Sequence, residues 1–239
     1  MAIAPEFYNA LADLDPEFAA TEYFQKMTWL KNENDDLYDP SYTDMLRVAF
    51  ISEFKRGRLE DLVALLSGRN FETRSYEEEI AEESFMKLKM GILNFMNESN
   101  FKRFIMILRS AGFIDSSMIR SKNAINFSYV VYLVLKKKNI SPDQIESFVR
   151  KWFVMSILTG RYSGSPESTF DTDIKRIDEF GIERYLNEVE SANLSDAFWN
   201  AGLPQQMNTS VASSPYFKVF LASKIRIKVF FPRILLFMI

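Results

Sequence analysis

RKWFVMSILTGRYSGSPEST, residues Arg150–Thr169, decides the fold of this chain. From Trp152 to Leu158 the only polar side chain is Ser156, and the apolar run stops soon afterwards at Gly160. A glycine in that place predicts a left-handed cap at the end of a helix. Ser165-Pro166 then places a capping hydroxyl before a proline, which is typical of a helix start. The stretch therefore predicts a buried helix, its end and the beginning of the next helix.

The helix that contains this stretch is predicted to begin at Ser141-Pro142, another cap followed by a first-turn proline. One face carries apolar residues at spacings of three and four, namely Ile145, Phe148, Val149, Trp152, Phe153 and Ile157. The opposite side is apolar as well, with Val154, Met155 and Leu158. A helix that is apolar all round is a buried one, so we expect this helix to be the central helix of the fold.

Start and stop signals of the same kind predict the remaining helices. They cover 4–14, Asp15-Pro16 to Lys31, Asp39-Pro40 to Gly57, Leu59–Leu66, a helix from a capping box of Ser75 and Glu78 to Asn97, Phe101–Ser110 capped by Ser99, Ser116–Arg120, Phe127–Lys138, Ser165-Pro166 to Gly181, Ile182–Ser191 and Ser195–Ala201. The segment Phe127–Lys138 is also compatible with a strand, because Val130, Val131 and Val134 are β-branched. Helix is the better interpretation, since three lysines suit a helix C-terminus.

Composition agrees with a helical fold and narrows the chemistry. The 239 residues include 22 Phe and 11 Met but only 8 Gly and 8 Pro, so chain breakers are few. The chain has no Cys and no His, which excludes disulfides, histidine bases, Ser-His-Asp triads and the common zinc and iron sites. We therefore predict an all-α, irregular bundle of roughly nine to eleven helices without a substantial sheet, and we expect no catalytic residues, no cofactor and no metal.

Charge divides the chain into two regions. All 32 acidic residues lie at or before Asp196, whereas residues 197–239 carry five basic residues and no acidic ones. We predict an α-helical domain over 1–203, a polar linker over Leu203–Ser213 and an apolar, basic C-terminal segment over 215–239. The N-terminus lacks the pattern of a secretory signal, and no window is apolar for long enough to span a membrane. A cytoplasmic protein is expected.

An acidic cluster near residue 80 has two interpretations. Glu77, Glu78, Glu79, Glu82 and Glu83 offer carboxylates to a metal ion, but the same spacing fits the first turn of a helix whose dipole they complement. We favour the helix start, because no histidine accompanies the carboxylates.

Candidate nucleic-acid contacts occur in two places. Lys136, Lys137 and Lys138 are either phosphate contacts or the favourable charges of a helix C-terminus. Arg161 and Ser163 lie in the turn after the apolar run. One interpretation makes both of them DNA contacts. The structural alternative pairs Arg161 with a carboxylate such as Glu167 or Asp171. The helix start at Ser163–Ser165 is also a potential anion site through its backbone N–H groups.

The segment Arg150–Ile177 resembles a recurring part of the GmrSD-type restriction proteins, the helical region that follows their ParB/sulfiredoxin-like domain. The shared features are a Lys-Trp-Phe start and the Leu-Thr-Gly-Arg-Tyr-Ser-Gly-Ser turn, so the signature residues are Trp152, Phe153, Thr159, Gly160, Arg161, Tyr162, Ser163, Gly164 and Ser165. The segment Ser213–Ile225 resembles the family too, and the likeness extends more loosely over residues 40–225.

The resemblance carries over no catalytic residue. The family's Asp-Gly-Gln-Gln-Arg motif is missing, since GLPQQM at Gly202–Met207 is a different sequence in a different place, and an HNH nuclease needs histidine. It implies a helical piece of a modification-dependent DNA restriction or phage-defence protein that engages DNA or couples the ParB-like and HNH domains. We expect no enzymatic activity from this chain alone, although the parent family comprises DNA endonucleases.

The sequence after about residue 224 departs from the family pattern. It changes from acidic and polar to basic and apolar, KIRIKVFFPRILLFMI, as a reading-frame slip or a truncation would produce. Two alternatives to the restriction role therefore remain open. The chain is either a stand-alone helical interaction module, peripheral to a membrane through its C-terminal tail, or an inactive remnant.

Overall fold

The computed structural model describes residues 37–209 and 211–230, and this part of the chain forms ten α-helices and no β-strand. The helices are α1 (Tyr42–Phe54), α2 (Leu59–Leu66), α3 (Glu78–Phe95), α4 (Glu98–Ser110), α5 (Lys122–Lys137), α6 (Pro142–Thr159), α7 (Pro166–Phe180), α8 (Ile182–Asn193), α9 (Leu203–Thr209) and α10 (Pro215–Phe230). A 3-10 turn at Ser116–Met118 and a π-helical turn at Phe198–Gly202 join some of them. The predicted all-α bundle is confirmed. The two helices predicted before residue 37 and the tail after 230 lie outside the described residues.

The centre of the bundle is α5, whose residues from Ala124 to Leu135 are all buried. Helices α1 and α6 pack against it, and the Phe104 ring of α4 stacks on Tyr129 at a centroid distance of 4.5 Å. The prediction that α6 is the central helix is wrong. The physical reason is charge: α5 carries no ionisable Asp, Glu, Lys or Arg between its two ends, whereas α6 exposes Lys151.

Three predicted helix starts are wrong. At α1 and α4 another side chain caps the helix, and at α3 no side chain does. Ser41, rather than Asp39, caps α1, where it forms a capping box with Asp44. The predicted box of Ser75 and Glu78 does not form, since α3 begins after Glu77 and the Ser75 hydroxyl donates to the Glu77 carboxylate at 2.7 Å. At α4 the cap is Asn97, whose side chain accepts from the N–H of Asn100, and Ser99 is inside the helix.

The predicted polar linker Leu203–Ser213 is also wrong in its first half, because Leu203–Thr209 is helical. Helix α10 follows and packs against α6 and the 3-10 turn, with Ala222 buried at the contact. The chain comes very close there: a Cβ atom on Gly112 would lie 1.9 Å from the carbonyl oxygen of Ala222. Helix α10, within the described residues, is thus packed on the bundle.

None of the described helices is both long enough and apolar enough to cross a lipid bilayer.

Candidate functional site

The turn after α6 ends that helix at a left-handed Gly160, as its sequence predicts, but the predicted cap by the Ser165 hydroxyl does not form. Gly160 has a left-handed φ of 60°, and the N–H of Arg161 donates to the Ser156 carbonyl at 3.1 Å, which closes the helix end. The N–H and the hydroxyl of Ser163 both donate to the Gly160 carbonyl, at 3.0 and 2.6 Å. Pro166 then opens α7. The signature turn is therefore a compact connection held by its own backbone.

A buried polar network joins this turn to α7 and α8. Asp173 is fully buried, and its two oxygens accept hydrogen bonds from Arg161, Tyr162 and Tyr185. The Arg161 Nε donates to Oδ2 at 2.8 Å, and both tyrosine hydroxyls donate at 2.8 Å. The indole N–H of Trp152 in turn donates to the Tyr162 hydroxyl at 3.1 Å. A buried carboxylate with this many donors holds three helices in one arrangement.

The ionisation states of the network follow from burial and the Asp173 charge. Burial raises the pKa of the Tyr162 phenol, and the Asp173 carboxylate raises it further. The same two causes, in that order, raise the pKa of Tyr185. Burial by itself would lower the pKa of Arg161, but its hydrogen bonds to Asp173 and the charge of that carboxylate outweigh burial and raise it. Both phenols therefore remain hydrogen-bond donors and the Arg161 guanidinium remains charged over the ordinary pH range.

Of the two predicted roles of Arg161, its contacts match the structural one, an ion pair with a carboxylate. The carboxylate is that of Asp173, which was not among the predicted partners. The predicted partners are wrong: Glu167 pairs with Arg47, and Asp171 pairs with Lys175. The Arg161 side chain is only 16% exposed and lies against the Trp152 ring, with its guanidinium carbon 5.4 Å from the ring centroid. Its contacts are with protein groups, and its role in DNA contact stays a prediction.

The three candidate lysines lie at the C-terminus of α5, as the helix interpretation requires, and each contacts a protein partner. Lys136 donates to the Asn100 side chain. Lys137 and Lys138 form ion pairs with Glu53 and Asp178, at 2.7 and 3.2 Å. The structure does not bring these lysines together with Arg161 or Ser163 in one site, and their contact with nucleic acid stays a prediction.

The remaining signature residues divide between core and turn. Trp152 and Phe153 are fully buried, and the Thr159 hydroxyl donates to the Met155 carbonyl at 2.8 Å. Gly164 and Ser165 are exposed in the turn. At the acidic cluster, Glu78 and Glu79 occupy the first turn of α3, as the helix interpretation predicts. No group of three carboxylates with metal-binding geometry occurs among residues 37–209 and 211–230.

A groove of about 480 Å³ lies between α6, α8 and α10, on the side of α6 that faces away from α5. Helix α6, the π-helical turn, α9 and α10 contribute to its apolar lining, which includes Val154, Met155, Leu158, Trp199, Met207 and Phe220. Trp199 is 47% exposed and Phe220 is 44% exposed, which is high for aromatic side chains. Lys151, Arg150 and Arg226 also line it.

The sequence interpretation missed this groove because it predicted a polar linker where α9 now stands. A usable signal was present: the large apolar residues Phe198 and Trp199 belong to the predicted helix Ser195–Ala201, and Leu203 follows a few positions later at the start of the predicted linker. Their exposure, by contrast, depends on how α10 packs and leaves no trace in the sequence.

No family model, no curated protein and no solved structure matches this chain.

Proposed function

We propose that this chain is a non-catalytic helical module of a modification-dependent DNA restriction system in the cytoplasm, and that it couples the system's other domains by docking a partner helix. The resemblance of Arg150–Ile177 suggests the system. The observation that carries the docking role is the open apolar groove along α6, which is the helix that bears the signature. Exposed aromatic side chains in an apolar groove are typical of surfaces that bind an amphipathic helix.

The charges around the groove indicate the chemistry of the partner. Lys151 and Arg226 are exposed on its lining, and neither forms an ion pair within the part of the chain described. The third cation, Arg150, forms an ion pair with Glu146 at 2.8 Å. Glu190 is the acidic residue in the lining, so one negative charge stands against the positive charges of Lys151 and Arg226. The rim is therefore net basic, and it favours an amphipathic helix with acidic residues beside its apolar face.

A role in binding DNA directly is the alternative within the restriction system. The contacts of the residues predicted to bind DNA favour the coupling of domains over this alternative. Arg161 binds Asp173, and Lys137 and Lys138 bind carboxylates of their own chain. A phosphate would have to compete with these partners. DNA binding through these residues would weaken steeply with added salt, since each released counterion contributes to the affinity.

The test of the docking role uses the partner domains of the proposed system. The neighbouring DNA is first read in all frames for a ParB-like domain and an HNH domain. Each domain that it encodes is then purified and titrated against this chain by calorimetry. The variant Phe220→Asp introduces a charge on the groove, and Val63→Asp is the matched control at an exposed valine of α2 outside it.

We expect Phe220→Asp to weaken binding by about tenfold or more, because central aromatic contacts dominate such interfaces, and Val63→Asp to leave binding unchanged. The absence of both domains from every reading frame would overturn the restriction role. Equal binding by Phe220→Asp and the wild type would overturn the groove as the docking surface. The neighbouring DNA, read in all frames, also tests the proposed frameshift near residue 224. Helix α10 is continuous across this residue.

The second candidate is a stand-alone interaction module that associates with membranes through its tail. Most of the apolar tail, residues 231–239, lies outside the described residues. Liposome binding that is lost on deletion of residues 224–239 would favour this candidate over the restriction role.

A further inference from the structure

We infer that a second pocket, between the N-termini of α5 and α10 and the signature turn, binds a phosphate group. The pocket has a volume of about 330 Å³ and lies apart from the lining of the apolar groove. Its cationic lining consists of Arg120, Lys122 and Lys218. None of the three was predicted as a nucleic-acid contact, and the inference does not depend on the docking role proposed above.

The cations in this pocket differ from those at the end of α5 in their contacts. Within the described residues Arg120 and Lys218 form no ion pair, and Lys122 donates only to the backbone carbonyl of Asp39, at 3.0 Å. No carboxylate lines the pocket. Outside the lining, hydrogen bonds from Ser117 lower the pKa of Asp115, and the charge of Lys218 lowers it further. The pocket therefore concentrates positive charge without an internal counterion.

Backbone donors reinforce the cations. Ser121, Lys122 and Asn123 line the pocket at the N-terminus of α5, a helix of 16 residues, and the Ser121 side chain makes no capping hydrogen bond. The first N–H groups of a helix have no partner within the helix and carry partial positive charge, so an anion is favoured there. Nothing in the described part of the chain accepts from the N–H groups of Lys122 and Asn123.

A buried hydroxyl is the independent sign of a ligand. Ser156 lines the same pocket, is 1% exposed, and its Oγ has no hydrogen-bond partner in the described structure. A buried polar group without a partner costs about 1–3 kcal/mol, so such groups are rare in folded proteins. An oxygen-rich anion in the pocket would accept a hydrogen bond from this hydroxyl.

The end of α6 also adjoins the pocket, and its dipole would repel an anion if its carbonyl oxygens were open. They are engaged instead. The Ser156 carbonyl accepts from the N–H of Arg161, the Ile157 carbonyl accepts from the N–H of Gly160, and the Gly160 carbonyl accepts from Ser163. The signature turn thus removes these acceptors from the pocket and leaves donors and cations to line it.

The ligand class follows from this donor set. Cations, helix N–H groups and a hydroxyl match the several acceptor oxygens of a phosphate, either in a small molecule or in a nucleic-acid backbone. The chemistry is the same for both sources, and the experiment separates them.

The test titrates the full chain with inorganic phosphate by calorimetry at constant ionic strength. Arg120→Glu reverses an exposed charge, and Ser156→Ala removes the buried hydroxyl, a change that should not harm folding because the hydroxyl has no partner. Arg103→Glu is the matched control, with the same change of net charge at an exposed arginine of α4 that lines neither the pocket nor the apolar groove.

We expect Arg120→Glu to weaken phosphate binding by about tenfold or more and Ser156→Ala by about fivefold, with Arg103→Glu unchanged. An absence of phosphate binding by the wild type, or equal binding by Arg120→Glu and Arg103→Glu, would overturn the inference. A second titration uses a short DNA duplex in competition with phosphate. Duplex binding that phosphate displaces and Arg120→Glu abolishes assigns the site to the nucleic-acid backbone, and phosphate binding without duplex binding assigns it to a small ligand.

Discussion

The guanidinium of Arg161 contacts both carboxylate oxygens of Asp173, and this pair links the signature turn to the buried face of α7. The two residues are twelve positions apart in the sequence, and the Asp173 side chain is entirely buried. A buried carboxylate depends on its donors, because without them it would carry an unsolvated charge. A substitution of Arg161 is therefore expected to lower the stability of the fold. Its effect on ligand binding has to be measured on protein that is shown to be folded.

Arg161→Ala should lower the free energy of unfolding by about 3–5 kcal/mol, since it leaves the Asp173 charge buried with two tyrosine donors alone. Lys138→Ala is the control, because it removes an exposed ion pair and should change stability by less than about 1 kcal/mol. Urea unfolding followed by circular dichroism measures both. A folded Arg161→Ala protein of unchanged stability that has lost DNA binding would instead establish the functional alternative.

Gly112→Ala should detach or strain α10, because the added Cβ would meet the backbone of Ala222 at 1.9 Å and the residue has a φ of 93°. Backbone cannot move aside as a side chain does, so we expect a loss of at least about 2 kcal/mol. Gly164→Ala is the control, since no atom lies within 4 Å of its added Cβ. Equal thermal stability of the two variants would contradict the close packing of α10 on the bundle.

Lys55 should make stability depend on alkaline pH. Burial lowers its pKa from 10.5 to about 8, while Asp178 and Glu53 act in the opposite direction and Lys137 and Lys138 reinforce the lowering. Between pH 8 and 10.5 the unfolded chain holds the proton that the folded chain has released, so the free energy of unfolding rises with pH across this window.

The comparison with Lys55→Met isolates this residue, because the variant keeps the side-chain length and the left-handed backbone but not the charge. The stability of the wild type relative to the variant should rise by about 1–3 kcal/mol between pH 7 and 10.5. Chemical denaturation at a series of pH values measures it, with Lys151→Met as an exposed control. A difference that stays constant with pH would show that Lys55 titrates normally.

Tyr38→Phe should destabilise the bundle by about 1–3 kcal/mol. The Tyr38 hydroxyl donates to the Asn126 side-chain oxygen at 2.7 Å, and Asn126 donates to Asp44 at 2.6 Å, all in a buried position. Removal of the hydroxyl leaves the Asn126 oxygen without its donor. Tyr76→Phe, at a tyrosine that is 69% exposed, is the matched control and should change the free energy of unfolding little.

The sequence by itself determined the helical class, most helix positions and the turn at Gly160–Pro166. These features depend on local physics: few chain breakers, apolar residues at helical spacing, a glycine that adopts a left-handed cap, and a proline suited to the first helical turn. The starts of α1, α3 and α4 were misassigned because several polar residues compete for each cap, and their relative strength depends on the geometry of the preceding loop.

Tertiary structure alone decided which helix is central, which partner Arg161 has and where the two pockets lie. Asp173, Glu167 and Asp171 are all within reach of Arg161 along the sequence, and only the packing of α7 against α8 and α1 buries Asp173 and turns it toward the arginine. The Ser156 hydroxyl is likewise ordinary in sequence. It becomes a sign of a ligand only because packing buries it beside three cations without a partner, since the cost of a polar group depends on its surroundings.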